Sequence, residues 1–187
     1  NYFTSLFLLV ICFVYGQDTY NPKKLQAPEI LIDGIIESNE WKGAQKVILD
    51  YEVNPGNNIP PEEKTTAYIL YSDTHLYIGI YAYAKPGEIR ASVRSRDDFG
   101  MITDDFVLVR FDTYADGRNN YLLLANAFGS QLDARAINAL TDEDRYDISF
   151  NLEYDTMGTI VSDGYQVEFK IPFSSLPFPN GINQEWN

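Results

Sequence analysis

The chain has 187 residues, which is enough for one well-buried domain and short for two. It carries 27 Asp and Glu against 14 Lys and Arg, a formal net charge of -13. This acidity excludes nucleic acid as a partner, because nucleic-acid binding needs a basic surface. The single cysteine excludes an intrachain disulfide, and the content of 14 Tyr, 12 Gly and 9 Pro is typical of a β-rich extracellular domain.

Residues 1–16 have the pattern of a partial signal peptide. The apolar run 6–14 is too short to span a bilayer with ease, and the small Gly16 and the polar Gln17 follow it. An uncleaved anchor is the alternative. Cleavage near Gly16 would remove Cys12, the only cysteine, so the pattern predicts an exported protein without thiol chemistry.

Polar residues with prolines make up the segment 17–28, which we predict to be a linker. A folded domain is therefore expected over 29–187. It begins with an apolar run that ends at Asp33 and Gly34, a turn signal, and Trp41 follows on a predicted short helical turn. Burial of Trp41 as a core anchor is one interpretation, and an exposed sugar platform is the other.

Most of the remaining chain alternates with the period of β-strands. Residues 65–71 and 76–84 are apolar on both faces, which predicts central strands. Turn residues between apolar runs predict hairpins at 127–130 and 162–164. Further strands are expected over 47–53, 90–94, 106–111, 149–154 and 159–161. About nine or ten short strands predict an all-β fold, an antiparallel, jelly-roll-like β-sandwich.

Several short motifs occur in a defined order along the chain. They are Ile32-Asp33-Gly34, Glu37, Trp41 and Ala44; Leu70-Tyr71-Ser72-Asp73 and Leu76-Tyr77-Ile78-Gly79; Arg96-Asp97-Asp98; Asp105-Phe106 and Phe111-Asp112-Thr113-Tyr114; Asn126, Gly129, Gln131 and Asp133; and Gly164-Tyr165, Glu168, Ile171-Pro172-Phe173 and Leu176. This ordered set resembles the family 9 carbohydrate-binding module, and more narrowly the N-terminal module of large envelope proteins with a long β-rich C-terminal region.

The resemblance implies a β-sandwich that binds sugar and often calcium; the best-known members are appended to xylanases and hold sugar chain ends between two tryptophans. Here Tyr146 and Phe150 stand where relatives of the narrower group tend to show Trp-Asp-x-x-Trp, and Trp186 is the only tryptophan besides Trp41. Placing Trp41 in the family pattern favours the anchor. We therefore expect Asp33, Gly34 and Trp41 to be structural, with Asp33 accepting hydrogen bonds from nearby backbone.

Polar and aromatic side chains that could line a sugar cleft are the candidate ligand-binding residues. Arginine guanidinium groups and side-chain amides form hydrogen bonds with sugar hydroxyls, and aromatic rings stack on sugar rings. Structural ion pairs and turn chemistry are the alternatives for the arginines and the amides, and pairing with an arginine is the alternative for Glu168. The candidates are Arg94, Arg96, Asp97, Asn126, Gln131, Tyr146, Phe150 and Glu168.

Carboxylates in a predicted loop make Asp112 and Asp116 the candidate metal ligands, with Ca²⁺ as the cofactor, because calcium binds hard oxygen ligands in loops. A solvated hairpin tip is the alternative. The acidic residues 142–144 form another carboxylate cluster.

No pattern for catalysis is found. The chain has one histidine, His75, and no spacing selects a pair of carboxylates for glycoside hydrolysis. We expect a non-catalytic module that binds a poly- or oligosaccharide, is linked to xylan-type polysaccharide degradation and is joined to a downstream domain of the same polypeptide. The exported protein is expected to be extracellular, periplasmic or associated with the outer membrane. A structural or interaction domain with a degenerate sugar site, fused to an outer-membrane β-rich region, is the alternative.

Overall fold

The computed structural model describes residues 19–26, 29–140, 145–181 and 183–187. The predicted signal peptide and the acidic residues 142–144 lie outside these ranges. Short 3₁₀ segments occur at Phe99–Thr103 and Phe173–Ser175. The strands are β1 (Lys23–Lys24), β2 (Gln45–Leu49), β3 (Thr65–Tyr71), β4 (His75–Tyr83), β5 (Phe106–Phe111), β6 (Asn119–Asn126), β7 (Gln131–Ile137), β8 (Tyr146–Asp147), β9 (Asp155–Val161) and β10 (Gly164–Pro172).

Two β-sheets form a sandwich. The first sheet has the order β1-β3-β4-β10-β9, and β2 also pairs with β3. The second sheet has the order β5-β6-β7-β8. All pairings are antiparallel except β1 with β3, which joins Lys23 and Lys24 of the predicted linker to the first sheet. The predicted all-β sandwich is confirmed, and no helix in the described ranges is long and apolar enough to cross a membrane.

The sequence places its most apolar strands at the centre of the first sheet, as predicted. Strand β4 lies between β3 and β10, and its register with β10 runs from Gly164 opposite Tyr83 to Pro172 opposite His75. Ile78, Val167 and Phe169 face the second sheet and are buried in the main core. Each such side chain stabilises the fold by about 1.5–3 kcal/mol.

The outer face of the first sheet is covered by residues 29–44. Trp41 is only 4% exposed and packs with Ile30, Leu70 and Tyr77. The predicted helical turn is a single hydrogen-bonded turn, in which the Trp41 N–H donates to the Glu37 carbonyl at 3.0 Å. Trp41 is therefore a core anchor and presents no open platform.

Two predicted strands do not form. Residues 90–94 and 149–154 run as irregular segments. Side-chain carboxylates take some of the backbone N–H groups that a ladder would use: Asp104 accepts from Ser92 at 3.2 Å, and Asp133 accepts from Leu152 at 2.6 Å. Local alternation could not reveal this competition, because the acceptors are distant in sequence.

A close backbone approach joins the two sheets. Gly129, in the β6–β7 hairpin, has a φ of +76°, and a Cβ at Gly158 of β9 would lie 2.6 Å from the Gly129 nitrogen and 2.7 Å from the Ala127 oxygen. These neighbours are backbone atoms, so they cannot turn aside as a flexible side chain would. The contact therefore requires glycine at position 158.

We expect Gly158→Ala to lower the free energy of unfolding by about 2 kcal/mol, because the added methyl group forces the hairpin away from β9. Urea denaturation of the variant measures the change. Gly181→Ala, whose Cβ would be no nearer than 3.2 Å to its neighbours, is the control and should stay within about 0.5 kcal/mol of the parent. Equal stability of the two variants would contradict this account.

Candidate functional site

A row of polar side chains on β7 forms the centre of the candidate site. Gln131, Asp133 and Arg135 alternate along the strand, so they share one face. Their partners across β6 face the main core, which places the row on the inner side of the second sheet. The intervening residues Leu132, Ala134 and Ala136 pack into a separate apolar cluster on the outer face with Met101.

Arg96 holds the first half of this polar row. Its guanidinium donates from Nη1 to Gln131 Oε1 at 2.6 Å and from Nη2 to Asp133 Oδ1 at 2.5 Å and the Leu152 carbonyl at 2.6 Å. The guanidinium also lies 5.2 Å from the centre of the Tyr154 ring. Burial raises the pKa of Asp133, which is fully covered by these neighbours. Arg96 thus joins β7 to the segment that follows β8.

Arg135 forms the more open half of the row. It donates from Nη2 to Asp147 Oδ2 at 2.9 Å and lies 5.8 Å from the centre of the Phe150 ring. The Ser149 hydroxyl donates to Asp147 at 2.6 Å, which fixes the carboxylate and lowers its pKa. The Phe150 ring in turn packs on Tyr121, with ring centres 5.4 Å apart. An ion pair therefore stands beside a supported aromatic ring.

These groups suit recognition of a neutral, hydroxyl-rich ligand. Guanidinium groups donate hydrogen bonds, carboxylates accept them, and an adjacent ring supplies apolar contact. Asp97 lies at the same end, with its carboxylate 3.6 Å from Arg96, and its backbone N–H donates to the Gln131 carbonyl at 2.9 Å. Of the predicted ligand residues, Arg96, Asp97 and Gln131 are thus brought together, and Phe150 lies in the other half of the row beside Arg135.

Arg94 and Asn126 belong to a different cluster. Arg94 donates from Nε and Nη2 to the two oxygens of Asp104 at 2.8 and 2.9 Å, and Asn126 Nδ2 donates to the same carboxylate at 2.9 Å. Asn126 is fully buried, and its oxygen accepts the N–H groups of Phe128 and Ser130. The Arg94 guanidinium holds the pKa of Asp104 well below its usual range. These contacts favour the alternative of a structural ion pair for Arg94 and of turn chemistry for Asn126.

Glu168 lies in the first sheet and faces the N-terminal segment. Its Oε2 accepts the N–H groups of Asp33 at 3.0 Å and Gly34 at 2.8 Å, and its Oε1 accepts Trp41 Nε1–H at 2.9 Å. The expected pairing with an arginine is therefore replaced by three N–H donors. The Asp33 side chain accepts a hydrogen bond from the Ile35 backbone N–H at 2.9 Å, which agrees with its predicted role as an acceptor for nearby backbone donors.

Tyr146 lies on the opposite face of the second sheet from Phe150. It pairs with Ala136, whose side chain belongs to the outer cluster, whereas the next residue, Asp147, pairs with Arg135 on the inner face. Strand β8 ends at Asp147, and a turn over Ile148 and Ser149 brings Phe150 to the inner face. The turn thus separates the two aromatic residues that the sequence placed in one motif, because an unbroken strand would have put both on one face.

The loop with Asp112 and Asp116 does not fit a calcium site. Asp112 is buried, and its oxygens accept the N–H groups of Gly117 at 2.6 Å and Tyr114 at 3.3 Å. Asp116 accepts the Arg118 N–H at 2.9 Å. Calcium takes about six to eight oxygen ligands, and the described residues contain no group of three or more His, Cys, Asp or Glu side chains able to hold a metal. The two carboxylates close a turn.

Four charged residues of the two clusters were not among the predicted site residues: Asp104, Asp133, Arg135 and Asp147. The polar and apolar alternation from Gln131 to Ala136 was the available signal for the row on β7. The polar face of a strand usually points to solvent. Only the contacts that Arg96 and Phe150 make with the polar face of β7 identify it as a candidate site.

Comparison with known proteins supports the fold assignment. No protein-family model and no curated protein matches the chain. Solved structures do match: a family 9 carbohydrate-binding module (CBM9) from Caldicellulosiruptor kristjanssonii in complex with glucose has a TM-score of 0.53 at 19% identity, covering 87% of this chain and 73% of that one. The chain has the fold of a family 9 carbohydrate-binding module.

Two further solved structures are similar to this chain. The Caldicellulosiruptor module in complex with cellotriose has a TM-score of 0.54 at 18% identity, covering 88% of this chain and 72% of that one. A protein from Bacteroides uniformis that is proposed to bind carbohydrate has a TM-score of 0.59 at 11% identity, covering 87% and 75%. At these identities the similarity to CBM9 establishes the fold, and the residues of the site must be judged by their own geometry.

Proposed function

We propose that the chain is a non-catalytic saccharide-binding module whose site is the polar row on β7. The observation that carries this proposal is the partly exposed Arg135–Asp147 ion pair beside the Phe150 ring. An ion pair of this kind offers both donors and acceptors to sugar hydroxyls, and the ring edge offers apolar contact.

Short glucose oligosaccharides are the first ligands to test, because the neighbouring CBM9 structures contain glucose and cellotriose. Xylan-type chains follow from the sequence resemblance. We further propose that the protein is exported and that the module serves a downstream region of the same polypeptide in polysaccharide degradation. Calcium remains a proposal that rests on the sequence, because the loop with Asp112 and Asp116 offers no fitting site. Titration of the protein with saccharide in the presence and absence of EDTA tests it.

Calorimetric titration of cellotriose, glucose and xylotriose tests the proposed site. We expect saturable binding by the parent protein and about 10–100-fold weaker binding by Arg135→Ala, since a hydrogen bond to a charged group contributes about 1.5–3 kcal/mol. Arg90→Ala removes an exposed arginine away from the polar row and should bind like the parent. Equal affinity of the two variants would place the ligand elsewhere.

A structural or interaction domain with a degenerate sugar site is the second candidate function. Arg96 already bonds to Gln131, Asp133 and the Leu152 carbonyl, and one side of Phe150 packs on Tyr121. Polar groups that already form hydrogen bonds with one another gain less free energy when a ligand binds. Absence of heat with all three saccharides, for a protein that unfolds cooperatively, would favour this candidate.

A further inference from the structure

Two arginines converge on the outer face of the second sheet. Arg110 of β5 and Arg145, which precedes β8, each donate from Nη2 to Asn138 Oδ1 at 3.3 Å. Asn138 is held from the other side, because its Nδ2 donates to the Gly117 carbonyl at 2.5 Å. A chain with a net charge of -13 thus places two guanidinium groups around one oxygen atom.

Among the described residues, hydrogen-bond donors outnumber acceptors at this position. Within the part of the chain that the structure describes, neither Arg110 nor Arg145 forms an ion pair with a carboxylate. Arg145 Nε and Asn120 Nδ2 are buried and have no hydrogen-bond partner among these residues. Asn120 is 6% exposed and lies opposite Ala136 in the register of β6 and β7. Such a set of donors is complementary to a group that only accepts, such as a carboxylate or sulfate.

An aromatic ring completes the cluster. Tyr146 lies opposite Ala136 on the other side of β7, so it shares the row of Asn120. Its side chain is 48% exposed, and the Arg145 guanidinium lies 5.8 Å from the centre of its ring. An exposed ring beside guanidinium groups suits a ligand that combines an apolar ring face with a negative charge.

We propose that Arg110, Asn120, Arg145 and Tyr146 form a second binding site, which takes the carboxylate or sulfate group of an acidic saccharide and stacks its sugar ring on Tyr146. The site is separate from the polar row on β7, because alternation along β7 and β8 places Arg135 and Asp147 on the inner face. Acidic-saccharide binding here is therefore independent of neutral-saccharide binding at Arg135.

NMR titration of the whole protein at low ionic strength tests this site with four probes: sodium glucuronate, glucose 6-sulfate, glucose and sodium sulfate. We expect the two acidic sugars to saturate the protein and to lose at least tenfold in affinity in the double variant R110A/R145A. We expect Tyr146→Ala to weaken the acidic sugars while leaving inorganic sulfate unchanged. Added salt should weaken binding, because exposed charge pairs are screened.

Two controls separate this site from the one at Arg135. The variant K42A/R90A removes the same charge from exposed positions elsewhere, and it should bind acidic sugars like the parent. Arg135→Ala should also retain them, even if it loses neutral saccharides. Absent binding of acidic sugars by the parent, or equal affinity of R110A/R145A and K42A/R90A, would overturn the proposal. Sulfate binding as tight as that of glucose 6-sulfate would reduce the site to one for inorganic anions and overturn its saccharide part.

Discussion

Replacing Glu168 by alanine is expected to lower the free energy of unfolding by about 4 kcal/mol. The fully buried carboxylate accepts the N–H groups of Asp33 and Gly34 and the indole N–H of Trp41. Each buried donor left without an acceptor costs about 1–3 kcal/mol, and the cavity left by the side chain adds to this. The variant should therefore loosen the N-terminal segment from the first sheet.

Denaturant unfolding measures the loss, and the exposed Glu153→Ala is the matched control, with an expected change within about 0.5 kcal/mol. Glu168→Gln keeps the shape but replaces one acceptor by an NH₂ group that faces a donor, so we expect a loss of about 2 kcal/mol. A Glu168→Ala variant as stable as Glu153→Ala would show that the three hydrogen bonds contribute nothing.

The pH dependence of this effect has a defined sign. Burial raises the pKa of Glu168, although its three N–H donors oppose the shift. A carboxyl whose pKa is higher in the folded state favours folding most below its unfolded pKa, which is about 4.3. The contribution of Glu168 should therefore decrease as the pH rises from about 4 through the raised folded pKa. Comparison of the parent with Glu168→Gln across this range measures the difference.

Asp104→Ala is expected to lower the free energy of unfolding by about 3 kcal/mol. Its carboxylate accepts two hydrogen bonds from the Arg94 guanidinium, one from the Asn126 side-chain amide and one from the Ser92 N–H. Removing one partner of a largely buried pair costs about 3–5 kcal/mol, and we take the lower end because Arg94 keeps some contact with water. The irregular segment 90–94 should lose its anchor to β6.

Acid should remove this contribution. The pKa of Asp104 lies well below its usual range, so its stabilisation is complete above the unfolded pKa of about 3.9 and is lost as the pH falls through the folded pKa. Urea unfolding of parent and Asp104→Ala at pH 7 and pH 3 measures the change, and the difference between them should shrink at pH 3. Asp73→Ala breaks the exposed ion pair with Lys24 and should cost less than about 1 kcal/mol at either pH. A constant difference from pH 7 to pH 3 would contradict the assigned ion pair.

Periodicity predicted the sandwich because burial acts on every second residue of a strand. Strands β3 and β4 are largely apolar on both faces, and the structure places them side by side in the first sheet. The Ser162-Asp163-Gly164 turn and the hairpin around Gly129 were predicted for the same local reason, since turn residues determine which strands can pair. The prediction of strands over 90–94 and 149–154 was wrong, because carboxylates distant in sequence accept hydrogen bonds from some of their backbone N–H groups.

The candidate site was only partly predictable. Arg96, Asp97 and Gln131 contact one another, and Phe150 lies beside Arg135 further along the row. Arg94 and Asn126 belong to the separate cluster around Asp104. Tyr146 and Phe150 lie four residues apart and would share a face of an unbroken strand, but the turn after β8 places them on opposite faces of the sheet. The sequence does not reveal that β8 ends after two residues.

The sequence by itself determined the all-β class and the central strands, because these follow from residue type and alternation within a single segment. For Trp41 the local pattern left two interpretations open, and the family resemblance favoured the burial that the structure shows. Only the tertiary structure decided the partners of Glu168, the union of Arg96 with Asp133, and the meeting of Arg110 with Arg145 at Asn138. These contacts join residues from 7 to 135 positions apart. Their geometry depends on sheet order and register, which no local pattern of residues encodes.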